Sequence, residues 1–167
     1  MSLELISAIA AVVASVVAAI SLLLESRRSR FQSGVELLLR FNDIFSDVDM
    51  RKSRKYAAEE FKKNNPEGAE EILDFFETIA LLVRQGAISE LFVWHSFYVW
   101  IDPYFALCKG FIDASRKEDS TIYSDLVWLH KRLQRVEKKK RHCTDLELIQ
   151  SKKDLEDFID GELELEE

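Results

Sequence analysis

The chain has little of what tight turns, disulfide frameworks and phosphate loops are made from. Its 167 residues include only two prolines, five glycines and two cysteines. So few turn residues exclude a β-sandwich and glycine-rich phosphate-binding loops. Cys108 and Cys143 form no disulfide framework and are expected as reduced thiols, with His142 the only base beside Cys143. The composition therefore predicts an all-α protein.

Motifs for catalysis and metal binding are also missing. No HExxH, paired CxxC or Glu-x-x-His pattern occurs, and the three histidines are scattered. We expect His95 and His130 to be hydrogen-bonded core or rim residues rather than ligands. Asp74 and Glu77 could form an acid pair, but a solvated acidic face explains them better. The sequence thus predicts no catalytic, cofactor-binding or metal-binding residue, no cofactor and no enzyme, with an unrecognised hydrolase or nucleotide-binding enzyme as an alternative.

One long uncharged run stands out at residues 5–24, LISAIAAVVASVVAAISLLL. A helix of about twenty residues spans the roughly 30 Å hydrocarbon core of a bilayer. Arg27, Arg28 and Arg30 follow the run, whereas a cleaved secretory signal carries its positive charge in front. The positive-inside rule then predicts a single-pass helix in the cell membrane, with the N-terminus outside and the C-terminal domain cytoplasmic. A cleaved signal or a buried soluble helix is the alternative.

The predicted span has one face of small residues, which lets helix backbones approach closely in a bilayer. The packing candidates on this face are Ser7, Ala11, Ala14, Ser15, Ala18 and Ala19. The hypothesis is a homo-oligomer joined along this face. The alternative is a simple anchor in which Ala and Ser are tolerated.

The rest of the chain predicts a cytosolic bundle of about five helices. Residues 1–30 are the anchor with its basic stop, 31–161 the helical domain and 162–167 an acidic, frayed tail. The first domain helix either continues from the anchor as one rod or restarts after Ser33 and Gly34. Asp47 or Asp49 caps a second helix at residues 50–63. A third helix is predicted at about residues 67–85, with Asn65 as its N-cap, Pro66 at its first position and Gly86 directly after its end.

Three further helices complete the predicted bundle. The fourth opens at Ser89, is rich in aromatic residues over 91–112 and should kink at Pro103; its charged residues favour a buried or interfacial helix over a second span. Asp119 or Ser120 should cap the fifth, whose apolar stripe is Ile122, Leu126, Leu129, Leu133 and Val136. Thr144 and Glu147 match a capping box for the last helix, which should end at Gly161.

A basic cluster ends the fifth helix: Lys131, Arg132, Arg135, Lys138, Lys139, Lys140 and Arg141. It could be a solvated face matched by the acidic C-terminus, a lipid-contacting surface or a nucleic-acid site. The net charge of −7 argues against nucleic acid as a partner. The residues predicted to face an anionic lipid surface are Arg27, Arg28, Arg30, Lys138, Lys139, Lys140 and Arg141. The choice depends on whether the fifth helix ends near the bilayer.

Much of the domain resembles a known family. The stretch from Phe31 to Leu133 contains FFETIALLVRQGAI, followed by a helix rich in Trp and Tyr. It resembles a family of uncharacterised single-span bacterial and archaeal membrane proteins catalogued as a domain of unknown function. The resemblance implies an N-terminal anchor and a helical bundle, and it brings no catalytic residue.

These features predict a membrane-anchored cytosolic helical module for interaction or scaffolding, without a catalytic motif. Its expected partners are the lipid bilayer, another protein of unknown identity and, through the span, further copies of the chain. The alternative is a phage-defence or toxin-type effector that acts on the membrane.

Overall fold

The described part of the chain is helical throughout. The structure, a computed structural model, describes residues 3–142, 144, 148 and 150–165, with the backbone alone for residues 3–17 and 19. These residues form α1 (Leu3–Ser46), α2 (Val48–Lys62), a 3₁₀ turn (Pro66–Ala69), α3 (Glu70–Arg84), α4 (Glu90–Glu118), α5 (Ser124–Arg141) and α6 (Lys152–Leu163). No strand occurs among them. The prediction of an all-α helical bundle is confirmed.

The N-terminal helix is one continuous rod from Leu3 to Ser46, so it does not restart after Ser33 and Gly34, and only its C-terminal part joins the bundle. The described side chains from Ala18 to Ser33 are exposed, and Gly34 is the first buried residue of α1. Within the described residues, no helix is long and apolar enough to cross a membrane. A membrane-spanning role for residues 5–24 therefore stays a prediction.

The core of the bundle lies between α3, α4 and α5. One face of α3 is buried, and Phe45 from α1 packs its ring against Phe75, Phe76 and Phe97 at centroid distances of 5.4–5.7 Å. One side of α4 is also fully buried: Val93, Phe97, Ile101, Tyr104, Cys108 and Ile112. The aromatic helix is therefore part of the core, and α4 continues through the buried Pro103.

Several predicted helix ends are confirmed. Asp47 caps α2, its carboxylate accepting from the Asp49 amide. Asn65 caps the 3₁₀ turn that precedes α3. Gly86 follows α3 with φ of +72°, the left-handed conformation that favours glycine at this position.

The start of the fifth helix differs from the prediction. Asp119 accepts from the amide and the hydroxyl of Thr121, so it closes a turn, and α5 begins only at Ser124. The first amides of α5 are bound by a carboxylate from another helix. Glu77 of α3 accepts from the Asp125 and Leu126 amides at 3.1 and 2.6 Å. The prediction of a solvated acidic face is thus wrong for Glu77, whose half-buried side chain caps the N-terminus of a different helix, α5.

The C-terminal part also needs correction. Glu147 of the predicted capping box lies outside the described residues, whereas Ser151 and Asp154 form a capping box that starts α6. The helix runs past Gly161 to Leu163. Glu162, predicted as the first residue of a frayed tail, is only 5% exposed because Arg54 binds its carboxylate. The folded domain therefore extends beyond residue 161.

Candidate functional site

A basic groove runs along the C-terminal half of α5. It has a volume of about 420 Å³ and lies between α5 and the first turn of α4. Its lining includes Leu91 and Val136 together with Arg132, Arg135, Lys139 and Lys140. Arg132, Arg135 and Lys139 recur at intervals of three to four residues, which places them on one face of α5, and Lys140 lies directly beside Lys139. We call this set of residues the basic groove.

One of these cations is fixed by contacts inside the protein. The Arg132 guanidinium donates to the Glu90 carboxylate at the start of α4, and it lies 5.3 Å from the centre of the Trp128 ring. Arg135, Lys139 and Lys140 are exposed and form no ion pair with any residue that the structure describes. The groove therefore combines a small apolar floor with an excess of positive charge.

The start of α4 connects this groove to α1. Phe92 packs edge-on against Phe31 of α1 at a centroid distance of 5.5 Å. A few residues further along α1, a Cβ built on Gly34 would lie 2.8 Å from the Ala87 carbonyl oxygen, so only glycine permits this approach. Arg30 lines a shallow cleft beside the same contact. The basic groove and the arginines of α1 therefore flank the same end of the bundle.

The predicted lipid-facing residues do not all lie together. Arg27, Arg28 and Arg30 are exposed on α1, and Lys139 and Lys140 line the groove. Arg141 turns away from it: its Nε donates to Glu137 at 2.8 Å, and Glu137 also accepts from Trp94 Nε1 at 2.7 Å. Arg141 therefore faces a different cleft. Lys138 is exposed but does not line the groove.

The acidic residues of α6 bind elsewhere in the molecule. Glu162 receives two bonds from Arg54 of α2, at 2.7 and 2.6 Å, and one from the Tyr104 hydroxyl at 2.9 Å. Burial raises the pKa of Tyr104 well above its ordinary value, which keeps this hydroxyl protonated as a donor. Asp160 pairs with Lys62 at 2.6 Å. In the described residues, the ion pairs that α6 forms with another helix are with α2, and Asp154 and Asp157 of α6 share a cleft with Arg141 of α5.

A second buried polar contact joins α4, α5 and the segment before α6. His130 Nε2 lies 2.7 Å from Asp102 Oδ1, and Gln150 donates to Asp102 Oδ2 at 2.6 Å. The His130 ring also stacks on Phe105 at 3.9 Å. This confirms the expected hydrogen-bonded core histidine, and His95 lies exposed at the rim against Trp94.

Clefts of about 530 and 480 Å³ lie on either side of Asp102 and Gln150. Neither contains a serine, threonine or cysteine beside His130 among the described residues. The part of the chain that the structure describes also holds no cluster of residues suited to a metal ion. The hydrogen bond between Gln150 and Asp102 joins the Gln150 segment to α4.

The remaining sequence predictions fall on the rod and on the cysteines. Among the small-face candidates Ala18 is exposed, and the side chains of Ser7, Ala11, Ala14, Ser15 and Ala19 lie outside the described ones. Cys143 also lies outside them. Cys108 is buried in α4, and burial raises the pKa of its thiol to about 12, so it is an unreactive core residue.

A family model for a domain of unknown function, DUF4760, matches residues 2–133. The chain belongs to this family. The match includes the apolar run and the whole stretch in which the resemblance was expected. No curated protein and no solved structure matches the chain.

The DUF4760 match ends inside α5, and this boundary divides the polar contacts described above. Each of these contacts joins a residue inside the match to one beyond residue 133. The pairs are Arg54 and Tyr104 with Glu162, Asp102 with Gln150, and Trp94 with Glu137. Most of the basic groove also lies beyond it. Sequence reasoning missed these pairs because each joins residues far apart in the chain, and no local pattern marks them.

Proposed function

We propose that the protein is a membrane-anchored helical module, with the bundle on the cytoplasmic side, that acts by binding and not by catalysis. The observation that carries the proposal is the exposed apolar end of α1. Ile20, Leu22, Leu23 and Leu24 are 51%, 68%, 66% and 61% exposed. Burying such side chains stabilises them by about 1.5–3 kcal/mol each, which favours an environment other than water.

The length and the charges of α1 support the same proposal. Residues 3–24 measure about 33 Å as a helix, close to the roughly 30 Å of a hydrocarbon core. Arg27, Arg28 and Arg30 follow on the side of the bundle and are exposed. This arrangement favours a cytoplasmic bundle by the positive-inside rule.

Membrane fractionation of cells that express the full chain tests the anchoring. We expect the protein in the membrane pellet after an alkaline carbonate wash, and a variant lacking residues 5–24 in the supernatant. A reporter fused to the C-terminus should be active only if it works in the cytoplasm. Release of the full chain by carbonate, or activity of a periplasmic reporter alone, would refute the anchoring or its orientation.

The small-residue face of the run supports self-association as a second part of the proposal. Ala11→Ile with Ser15→Ile adds bulk to this face, so we expect weaker self-association in a membrane two-hybrid assay. The matched control is Val12→Leu with Val16→Leu, which adds bulk to the opposite face. Equal effects of both pairs, or no effect of the first, would show that the chain does not associate along this face.

A further inference from the structure

The basic groove is the feature of the bundle that best suits a ligand outside the protein. Its cations are spread along one face of α5, and only Arg132 is paired with a described carboxylate, that of Glu90. Leu91 and Val136 provide apolar surface between the charges. This combination suits a ligand with both a phosphate and a hydrocarbon part. A phospholipid at a membrane surface has both.

The contacts of α4 place the groove on the α1 side of the bundle. α4 and α5 run antiparallel, since Phe111 lies beside Tyr123 and Trp94 bonds to Glu137. The C-terminal half of α5 therefore lies beside the beginning of α4. That beginning packs on Phe31, which follows Leu24 by about 10 Å of helix. The polar headgroup layer is itself about 5–8 Å thick, so the flexible Lys139 and Lys140 side chains lie within its reach.

A solvated face and a nucleic-acid site both fit the basic groove less well than a lipid does. No acidic residue of α6 lines the groove: Glu162 and Asp160 bind Arg54 and Lys62 of α2, and Asp154 and Asp157 line the cleft that holds Arg141. Nucleic acid would have to reach the groove from solution against a net charge of −7, a repulsion that the anchoring by α1 overcomes for the lipid leaflet. Each Lys or Arg close to an anionic leaflet, by contrast, contributes about 1 kcal/mol of attraction.

We infer that the basic groove binds the phosphate headgroup of an anionic phospholipid in the bilayer that α1 enters. Arg135, Lys139 and Lys140 contact the phosphate, and Leu91 and Val136 contact the upper acyl chain. This inference rests on the proposed membrane anchoring and specifies what the bundle binds there. It also revises the predicted surface, because Arg132 and Arg135 belong to the site and Arg141 does not.

Native mass spectrometry of the full chain in a neutral detergent tests the groove directly. Phosphatidylglycerol and phosphatidylcholine are added separately, and the apparent Kd of the first lipid adduct is measured. We expect phosphatidylglycerol to bind at least tenfold more tightly. The variant Arg135→Gln, Lys139→Gln, Lys140→Gln should reduce this preference to threefold or less.

The matched control removes the same charge from the remainder of the surface. Lys109→Gln, Lys117→Gln, Lys153→Gln changes exposed lysines away from the groove and should keep the preference within twofold of the original value. All six substituted residues are exposed, and circular dichroism checks that both variants stay folded. An equal loss in both triple variants would overturn the site.

Further outcomes separate the lipid from other sources of phosphate. Equal affinity for the two lipids, or binding of inorganic phosphate or of single-stranded RNA as tight as that of phosphatidylglycerol, would overturn the inference. If the chain resists carbonate extraction but shows no lipid preference, the groove is wrong and the anchoring stands. If carbonate releases the chain while the preference persists, the anchoring is wrong and the groove stands as a phospholipid site.

Discussion

The two ends of the chain are opposite in both chemistry and environment. The beginning of the chain is apolar, and its described side chains from Ile20 to Leu24 are exposed. The end is acidic, yet α6 packs on α2 and buries Glu162 to 5% exposure. Each end therefore breaks the usual match between residue type and burial. Glu162 is buried because Arg54 and Tyr104 bind its carboxylate. The described part of the bundle does not cover the exposed leucines of α1.

Removing the buried carboxylate of α6 should have the largest effect on stability. Glu162→Ala leaves the Arg54 guanidinium buried without its counter-ion, and such losses cost about 3–5 kcal/mol. We expect α6 to detach and the free energy of unfolding to fall by that amount. Urea unfolding of the full chain in mild detergent, followed by tryptophan fluorescence, measures the change.

The matched control lies on the same helix two residues earlier. Asp160 pairs with Lys62, but their side chains are 62% and 48% exposed. Exposed pairs contribute about 0–1 kcal/mol, so Asp160→Ala should change stability little. If Glu162→Ala costs no more than Asp160→Ala, α6 is held by its apolar residues and the buried ion pair has no special part.

The sequence predicts the helices better than the contacts between their polar residues. Caps and turn residues correctly indicate α2 and α3, and the aromatic and charged residues of α4 correctly indicate a helix that is buried or interfacial, because these signals depend on residues within a few turns of one another. The pairing of Arg54 with Glu162 joins residues separated by 108 positions. The cap that Glu77 provides for α5 likewise joins residues far apart in the chain, so no sequence pattern around Glu77 indicates it. Such pairs depend on tertiary packing and leave no local signal.

The basic groove is an intermediate case. The charge cluster and the helical spacing of its members are readable from the sequence, and so is the position of Arg27, Arg28 and Arg30 after the apolar run. Which of the cations share a surface is not, since this depends on how α5 lies against α4. The Glu137 carboxylate draws Arg141 to the other side, and Glu90 draws Arg132 into the groove.

Gly34 marks the point where the exposed part of α1 meets the bundle. A Cβ on Gly34 would come within 2.8 Å of the Ala87 carbonyl oxygen, and backbone cannot move aside cheaply. Gly34→Ala should therefore lower the free energy of unfolding by about 1–2 kcal/mol, in the range of other overpacking substitutions. The same urea titration measures it.

Gly110 provides the control for helix propensity. It lies inside α4, and a Cβ there would meet nothing within 4 Å. Gly110→Ala should raise stability by about 0.5–1 kcal/mol, because alanine favours the helix. If both substitutions are stabilising, α1 does not need its close approach to Ala87. The border between the exposed part of α1 and the part packed on the bundle would then lie after Gly34.

A smaller effect on stability is expected at Glu77. Its carboxylate is only partly buried, whereas that of Glu162 is buried. Burial raises the pKa of Glu77 above its ordinary value of 4.5, although the two amides of α5 bind it. Because the pKa is raised in the folded state, the stability that this group contributes is complete below pH 4.5 and is lost as the pH rises through the folded-state pKa. Glu77→Gln does not titrate, so the difference in unfolding free energy between the original chain and the variant should shrink by less than about 1 kcal/mol from pH 4 to pH 7. If this free-energy difference grows between pH 4 and pH 7, the hydrogen bonds from the amides of α5 outweigh the burial of Glu77. Its carboxylate would then be compensated by hydrogen bonds as fully as that of Glu162.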